Sequence, residues 1–188
     1  MNYLKELEAY RDREIEVFSK MNLEDVNRVM NVLEEARLSG KHVFTCGNGG
    51  SAATASHYCC DFNKGVSEKL DVKYNFECLS DNVASMMAIA NDFSYEEVFR
   101  YPLKNKMKQG DILIGISGSG NSKNVVNAFE CAKEMGGITI AIVGYSGGKM
   151  KEMADYCIHV DINDMQISED LHMVLDHMMM WVLSHGSY

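Results

Sequence analysis

Apolar residues recur along this chain with two different periods, and the change between them divides it. From residue 3 to residue 20, Leu4, Leu7, Tyr10, Ile15 and Phe18 fall at helical spacing with charges between them. That spacing predicts an amphipathic helix. Asn22 precedes Leu23-Glu24-Asp25. An N-cap followed by first-turn acids starts a second helix, expected to reach Leu38 and to end at Ser39-Gly40. From His42 the pattern becomes short apolar runs: His42–Cys46, Asn75–Leu79, Asp111–Ser117, Ile138–Val143 and Tyr156–Val160. Ile112-Leu113-Ile114-Gly115-Ile116 and Ile138-Thr139-Ile140-Ala141-Ile142-Val143 are nearly continuous, as strands of a parallel sheet buried on both faces should be. Helices are predicted between the runs, near 51–63, 82–91, 121–135 and 147–153, and a last one from about 166 to 184. Alternating strands and helices give an α/β doubly wound fold.

The two leading helices exceed what a βα fold needs. They are expected either to pack subunits together or to cap the chain's own core. Residues 64–74 read as a polar excursion, and Pro102 is the single proline, so no Pro-rich linker divides the chain. One domain is expected over 1–188, with 1–40 a helical extension and 41–188 the α/β core.

Composition narrows the functions. Hydrophobic residues at 46% and charged residues at 24% are ordinary for a soluble globular protein. The net charge of −9 argues against nonspecific nucleic-acid binding, which needs basic surface. It leaves room for a small anion, because backbone N–H groups bind phosphate without a basic surface. Residues 1–20 are charged throughout and lack the apolar stretch of a signal peptide. The apolar run from His172 to Leu183 is interrupted by Asp176 and His177 and is too short to span a bilayer. The six cysteines show no CxxC spacing and are expected to be reduced, mostly buried thiols in a cytoplasmic protein.

Two strand-to-helix turns are rich in small polar residues: Gly47-Asn48-Gly49-Gly50-Ser51 and Ser117-Gly118-Ser119-Gly120-Asn121-Ser122. Both should lie at carboxyl ends of parallel strands, where ligands bind in open α/β sheets. The second lacks the lysine of a Walker A loop, and its spacing is wrong for a dinucleotide fingerprint. Serine hydroxyls and helix N-terminal amides without a nucleotide motif point to a sugar phosphate and to no nucleotide cofactor. A single such loop is as readily an ordinary tight turn; two in one small sheet are less so. His57 and Asp61 are four apart on one helical face. The last helix adds Glu169, Asp170, His172, Asp176 and His177. Its Met178-Met179-Met180-Trp181 run reads as packing. Asp92 is a candidate ligand for sugar hydroxyls, or a helix-end residue that turns the chain.

GNGGSA at 47–52, ANDFSY at 90–95, ISGSGNS at 116–122 and the terminal helix with His172 and His177 together resemble the SIS (sugar isomerase) domain family. Within it the resemblance is to the branch acting on sedoheptulose 7-phosphate. The resemblance implies a flavodoxin-like five-stranded parallel sheet flanked by helices, and a homotetramer with active sites between subunits. It implies conversion of a ketose phosphate to an aldose phosphate through an enediol(ate), here sedoheptulose 7-phosphate to a heptose 7-phosphate for surface polysaccharide. Carried over by position, Asn48, Gly49, Gly50 and Ser51 line the substrate, Ser117, Ser119 and Ser122 hold the phosphate, and Asp92 contacts the sugar. Asp61 and His177 are the implied acid/base pair. His57, Asp61, Glu169 and His177 are the implied ligands of a divalent metal, zinc first.

Three positions depart from the family pattern. Asp61 stands where the family has Glu, Glu169 where it has Gln, and Gly65 where it has an arginine, with Lys64 beside it as a replacement. Glu169 and His177 are eight apart, about 12 Å along a regular helix, which strains a shared ion. These departures keep two other readings open. One is an isomerase of another sugar phosphate. The other is a non-catalytic SIS sensor or adaptor.

Overall fold

The structure is a computed structural model, and it describes residues 1–186. Helix α1 spans Leu4–Ser19 and α2 spans Leu23–Leu38. Asn22 caps α2 by accepting from the Glu24 amide. Five parallel strands follow: β1 Val43–Gly47, β2 Phe76–Cys78, β3 Ile112–Ser117, β4 Ile138–Val143 and β5 Tyr156–His159. Each falls within or beside the run that the sequence marks. The connecting helices are α3 Gly50–Cys60, α4 Val83–Asp92, α5 Arg100–Lys106, α6 Lys123–Glu134, α7 Gly148–Met153 and the closing α8 Met165–His185.

The strand order is β2-β1-β3-β4-β5, all parallel. This is the flavodoxin-like order. Alternation along each strand sends Val43, Ile112, Ile114, Ile140 and Ile142 to one face, under α2, α3 and α8. Phe44, Cys46, Leu113, Ala141 and Val143 go to the other face, under α4 to α7. Gly115 lies in register between Cys46 and Ala141. A Cβ there would run into Phe129 of α6 and Met150 of α7, so this row of small residues seats their side chains.

Three features differ from the sequence expectation. Helix α5 contains Pro102 and was not foreseen; the ring sits in its first turn, where a missing N–H costs nothing. The helix expected over 51–63 stays α-helical only to Cys60 and then widens into a π-turn over Asp61–Val66. Helix α1 buries none of its residues, and Leu4, Leu7, Tyr10, Ile15 and Phe18 all stay exposed. It is tethered to α8 by polar contacts, Tyr10 to Asp170 and Arg13 to Asp164 at 3.3 Å. Among the described residues, α1 touches the core only through half-buried Val17, whereas α2 caps it with Val26, Val29, Val32, Leu33 and Ala36. Four of the six cysteines are buried, Cys46, Cys59, Cys78 and Cys131. Among the described residues, no helix is long and apolar enough to cross a membrane.

One buried histidine should set part of the acid stability. Burial on α8 holds the His172 imidazole down to about 4, whereas an unfolded histidine titrates near 6.5. Between those values the unfolded chain binds more protons, so stability is lost as pH falls from about 6.5 to about 4. About 2 kcal/mol of it is gone by pH 5. His172→Leu should flatten this part of the profile in urea unfolding at pH 7.5 and pH 5. Equal losses in variant and parent would contradict the assignment.

Candidate active site

In this strand order the chain leaves β1 toward one edge of the sheet and β3 toward the other. Ligands of open α/β sheets bind in the crevice at such a switch point. Both Gly-rich turns lie there, after β1 and after β3. The first needs its glycines. A Cβ on Gly47 would meet the carbonyls of Ser51 and Ile116, and Gly49 takes φ +55°. The turn is locked from across the crevice. Asn48 donates to Asn124 Oδ1 at 2.9 Å, Asn124 donates back to Asn48 Oδ1 at 2.8 Å, and the Tyr95 hydroxyl donates to the same oxygen at 2.7 Å. Asn124 is buried in the first turn of α6, so this pair joins the two turns.

The second turn is held by its own hydroxyls. Ser117 and Ser122 share a hydrogen bond at 3.2 Å, and the Gly120 and Asn121 amides donate to Ser117 and Ser119 at 3.2 Å each. Gly120 has φ +63°, and a Cβ on it would collide with the Gly147 carbonyl. Ser122 precedes α6, yet its side chain pairs with Ser117 rather than capping its own helix. The start of α6 therefore offers hydroxyls and amides together to an anion.

A second constellation forms where α3 meets α8. His57 Nε2 lies 3.1 Å from His177 Nε2 and 3.6 Å from Asp61 Oδ2. Asp176 completes a group of four whose ligand atoms all lie within 4.8 Å of one another. His57 and His177 are partly open to solvent, whereas Asp176 is fully buried. Burial, and next the Asp61 carboxylate, push the Asp176 carboxyl up to about 8. Neither Asp176 oxygen has a hydrogen-bond partner. The Tyr58 hydroxyl, also buried, is committed to the His172 carbonyl at 3.2 Å and so ties α3 to α8.

The structure distributes the expected residues unevenly. Asn48, Gly49, Gly50, Ser51, Ser117, Ser119 and Ser122 gather at the switch point, and His57, Asp61 and His177 gather at the α3–α8 contact. Glu169 does not join them. Its carboxylate lies against Gly50 at the start of α3, because a regular α8 sets it about 12 Å from His177 along the axis. Asp92 sits exposed at the end of α4, where it accepts from the Asn91 side chain, and is not one of the four clustered residues. Gly65 is a packing position: any Cβ would strike Met180 of α8. Lys64 beside it lines, with His177, Lys69 and Trp181, a cavity of about 420 Å³. Asp176 is among the titratable groups the sequence shows on the last helix, but no role is assigned to it there. Its signal was a carboxylate on the buried line of α8, at four-residue spacing from Ser168 and His172.

The comparisons agree on kinship. The family model described as SIS domain matches residues 3–144. A probable phosphoheptose isomerase of Thermoplasma acidophilum is 38% identical over 158 residues, 84% of this chain and 86% of that protein. A phosphoheptose isomerase of Aliarcobacter butzleri is 33% identical over 181 residues, 93% of this chain and 91% of its own. The solved structure of a phosphoheptose isomerase from Neisseria gonorrhoeae superposes with a TM-score of 0.89 at 26% identity, covering 97% of this chain and 98% of that one.

The amide pair across the crevice gives a structural test. Asn124→Leu leaves Asn48 with one of its three side-chain bonds, that from Tyr95, and should lower unfolding free energy by about 1–3 kcal/mol. Denaturant midpoints measure it, and an unchanged midpoint would mean the pair does not hold the turns together.

Proposed function

The chain belongs to the SIS domain family and stands among its phosphoheptose isomerases, and from that premise we propose that it interconverts sedoheptulose 7-phosphate and a heptose 7-phosphate. The observation that carries this reading is the His57–His177–Asp61 contact on the α3–α8 pair. Two ring nitrogens 3.1 Å apart need a proton or a cation between them. A carboxylate adjoins them, and the histidines open toward solvent. That is equipment for moving protons, and it has no use in a sensor or adaptor.

In the proposed reaction the phosphate rests on Ser117, Ser119 and Ser122 and the first amides of α6. Asn48 to Ser51 form the floor under the sugar, with Asp92 reaching its hydroxyls. One of Asp61 and His177 takes a proton from C1, the C1–H electrons form the C1=C2 double bond, and the C2 carbonyl oxygen becomes the enediolate oxygen. The O1 proton passes to that oxygen, which becomes the C2 hydroxyl, and as the O1 electrons form the C1 aldehyde the other residue returns a proton at C2. Preorganised donors near the enediolate lower the barrier.

The donor set also fits a divalent ion, zinc first. Two imidazoles and two carboxylates are its usual ligands, and bonds of about 2.0–2.1 Å put tetrahedral ligand atoms about 3.3 Å apart. The separations of 3.1 and 3.6 Å around His57 bracket that value. His57, Asp61 and His177 would hold it, and it would supply polarisation of the C2 carbonyl. We further propose one SIS domain over the chain, with 1–40 as its helical extension. The molecule would be a cytoplasmic homotetramer with active sites at subunit interfaces, in which other copies cover the exposed apolar face of α1.

Turnover of sedoheptulose 7-phosphate followed by NMR tests the reading. Asp61→Asn and His177→Asn should each lower kcat by about 10²- to 10⁴-fold. Ser119→Ala should mainly raise KM, by about ten-fold or more, through one lost bond to a charged oxygen. A parent protein that turns over only pentulose or hexulose phosphates would replace the heptulose assignment with another isomerase.

A further inference from the structure

We infer that Cys59 and Cys78 form a peroxide-sensitive thiol pair, which closes to a disulfide between the end of α3 and β2. Neither the sugar phosphate nor the histidine cluster takes part in it.

The pair follows from how the strands and α3 present their side chains. Thr45 of β1 and Cys78 of β2 are in register, so both point to the face of the sheet that α3 covers. Cys46, one residue past Thr45, points to the opposite face. On α3, Ala55 and Cys59 lie one turn apart and are buried, whereas Cys60 is rotated about 100° further and is exposed. Alternation and helical rotation therefore bring two of these thiols together and turn the other two away. The Cys59 and Cys78 side chains are hydrogen-bonded to each other. Thr45 steadies the contact. Its hydroxyl donates to the Ala55 carbonyl at 2.9 Å, and its oxygen lies 3.4 Å from the Cys59 sulfur.

Both thiols are buried without being sealed. Cys59 is 8% exposed and Cys78 5%, whereas Cys46 and Cys131 are at 0%. Cys59 and Cys78 line one cavity of about 540 Å³ with Asn63, Asp81 and Lys106. So small an exposure suits a small neutral oxidant, hydrogen peroxide. The Cys59 hydrogen bond holds the Cys78 thiol down to about 7, against burial and with help from the Ser80 amide. The thiolate is the form that attacks peroxide. The Cys46 thiol is pushed the other way by burial.

The chemistry balances with peroxide as the oxidant. The Cys78 thiolate attacks one peroxide oxygen, an S–O bond forms, the O–O bond breaks, and hydroxide leaves and takes a proton from solvent. Cys78 is oxidised to the sulfenic acid and the peroxide is reduced. The Cys59 sulfur then attacks the Cys78 sulfur, an S–S bond forms, the S–O bond breaks, and the oxygen departs as water with the Cys59 proton. Two thiols and one peroxide give one disulfide and two waters. In a reducing compartment the pair rests as thiols. Cys59 stands between His57 and Asp61 in the chain, so the bond ties the segment that carries both to β2.

Peptide mapping without reductant tests the pair on the folded parent. After brief hydrogen peroxide treatment, the chain should lose two of its six thiols, and dithiothreitol should restore both. Once the remaining thiols are alkylated, trypsin should release residues 42–64 joined to residues 74–100, with fragment ions placing the bond at Cys59 and Cys78. Cys59→Ala should lose the link and leave a Cys78 sulfenic acid that dimedone traps. Cys46→Ala and Cys60→Ala should keep the link. If Cys59→Ala does not fold, the fragment ions of the parent still decide. A parent with no linked peptide overturns the inference. So does a bond at Cys46 or Cys60, a bond found only between chains on a non-reducing gel, or an equal yield of the same link from parent unfolded in urea. A dimedone adduct on Cys60 with none on Cys78 in the Cys59→Ala protein also overturns it.

Discussion

The contact between α3 and α8 is the constraint on which the site depends. His57 and His177 are 120 residues apart in sequence and meet at 3.1 Å. Three features let the helices come that close. Helix α3 is rich in small residues, with Ala52, Ala53, Ala55 and Ser56 in its sequence. Gly65 leaves room for Met180 just past its end. The buried hydroxyl of Tyr58 bonds to the main chain of α8 and fixes how far each helix slides along the other. A Cβ at 65 would meet the terminal methyl of Met180, which would have to turn aside. Lys64 lies at the rim of the neighbouring cavity.

The two halves of the site are built on different principles. The loops at the switch point are rigid because backbone and short polar side chains are bonded to each other, down to the reciprocal Asn48–Asn124 pair. A phosphate has the same shape and charge throughout an isomerisation, so a fixed cradle suits it. The α3–α8 cluster is the opposite case. Its groups are titratable, one is buried without a partner, and two are open to solvent. Such an arrangement stabilises a fold poorly and suits a place where charge moves or an ion sits.

Much of this was legible in the sequence because parallel strands buried on both faces leave nearly continuous apolar runs, and Gly-rich turns mark where those runs end. The five strands and both loops were read on that basis. Helix α5 has only seven residues, Arg100–Lys106, too few to leave a clear helical period, and its Pro102 is tolerated in a first turn. The π-turn at Asp61 was missed because an extra residue per turn leaves no periodic trace in so short a segment. Asp92 illustrates another limit: a motif gives a residue's neighbours in sequence, and its place at the exposed end of α4 is decided by the whole fold.

Glu169 and Asp176 show where motif and geometry part. Matching residues by position favours Glu169, which is eight residues from His177. Helical geometry asks which carboxylate shares its level on the axis, and that is Asp176. The burial pattern of α8 held the clue, since Ser168, His172 and Asp176 form a polar line on the side that faces the core. Ser168 is satisfied by the Asp164 carbonyl at 2.7 Å, and His172 is kept neutral by burial. Asp176 alone on that line sits beside a second carboxylate and two imidazoles. Two carboxylates therefore stand beside the histidines, Asp61 from the turn that ends α3 and Asp176 from α8.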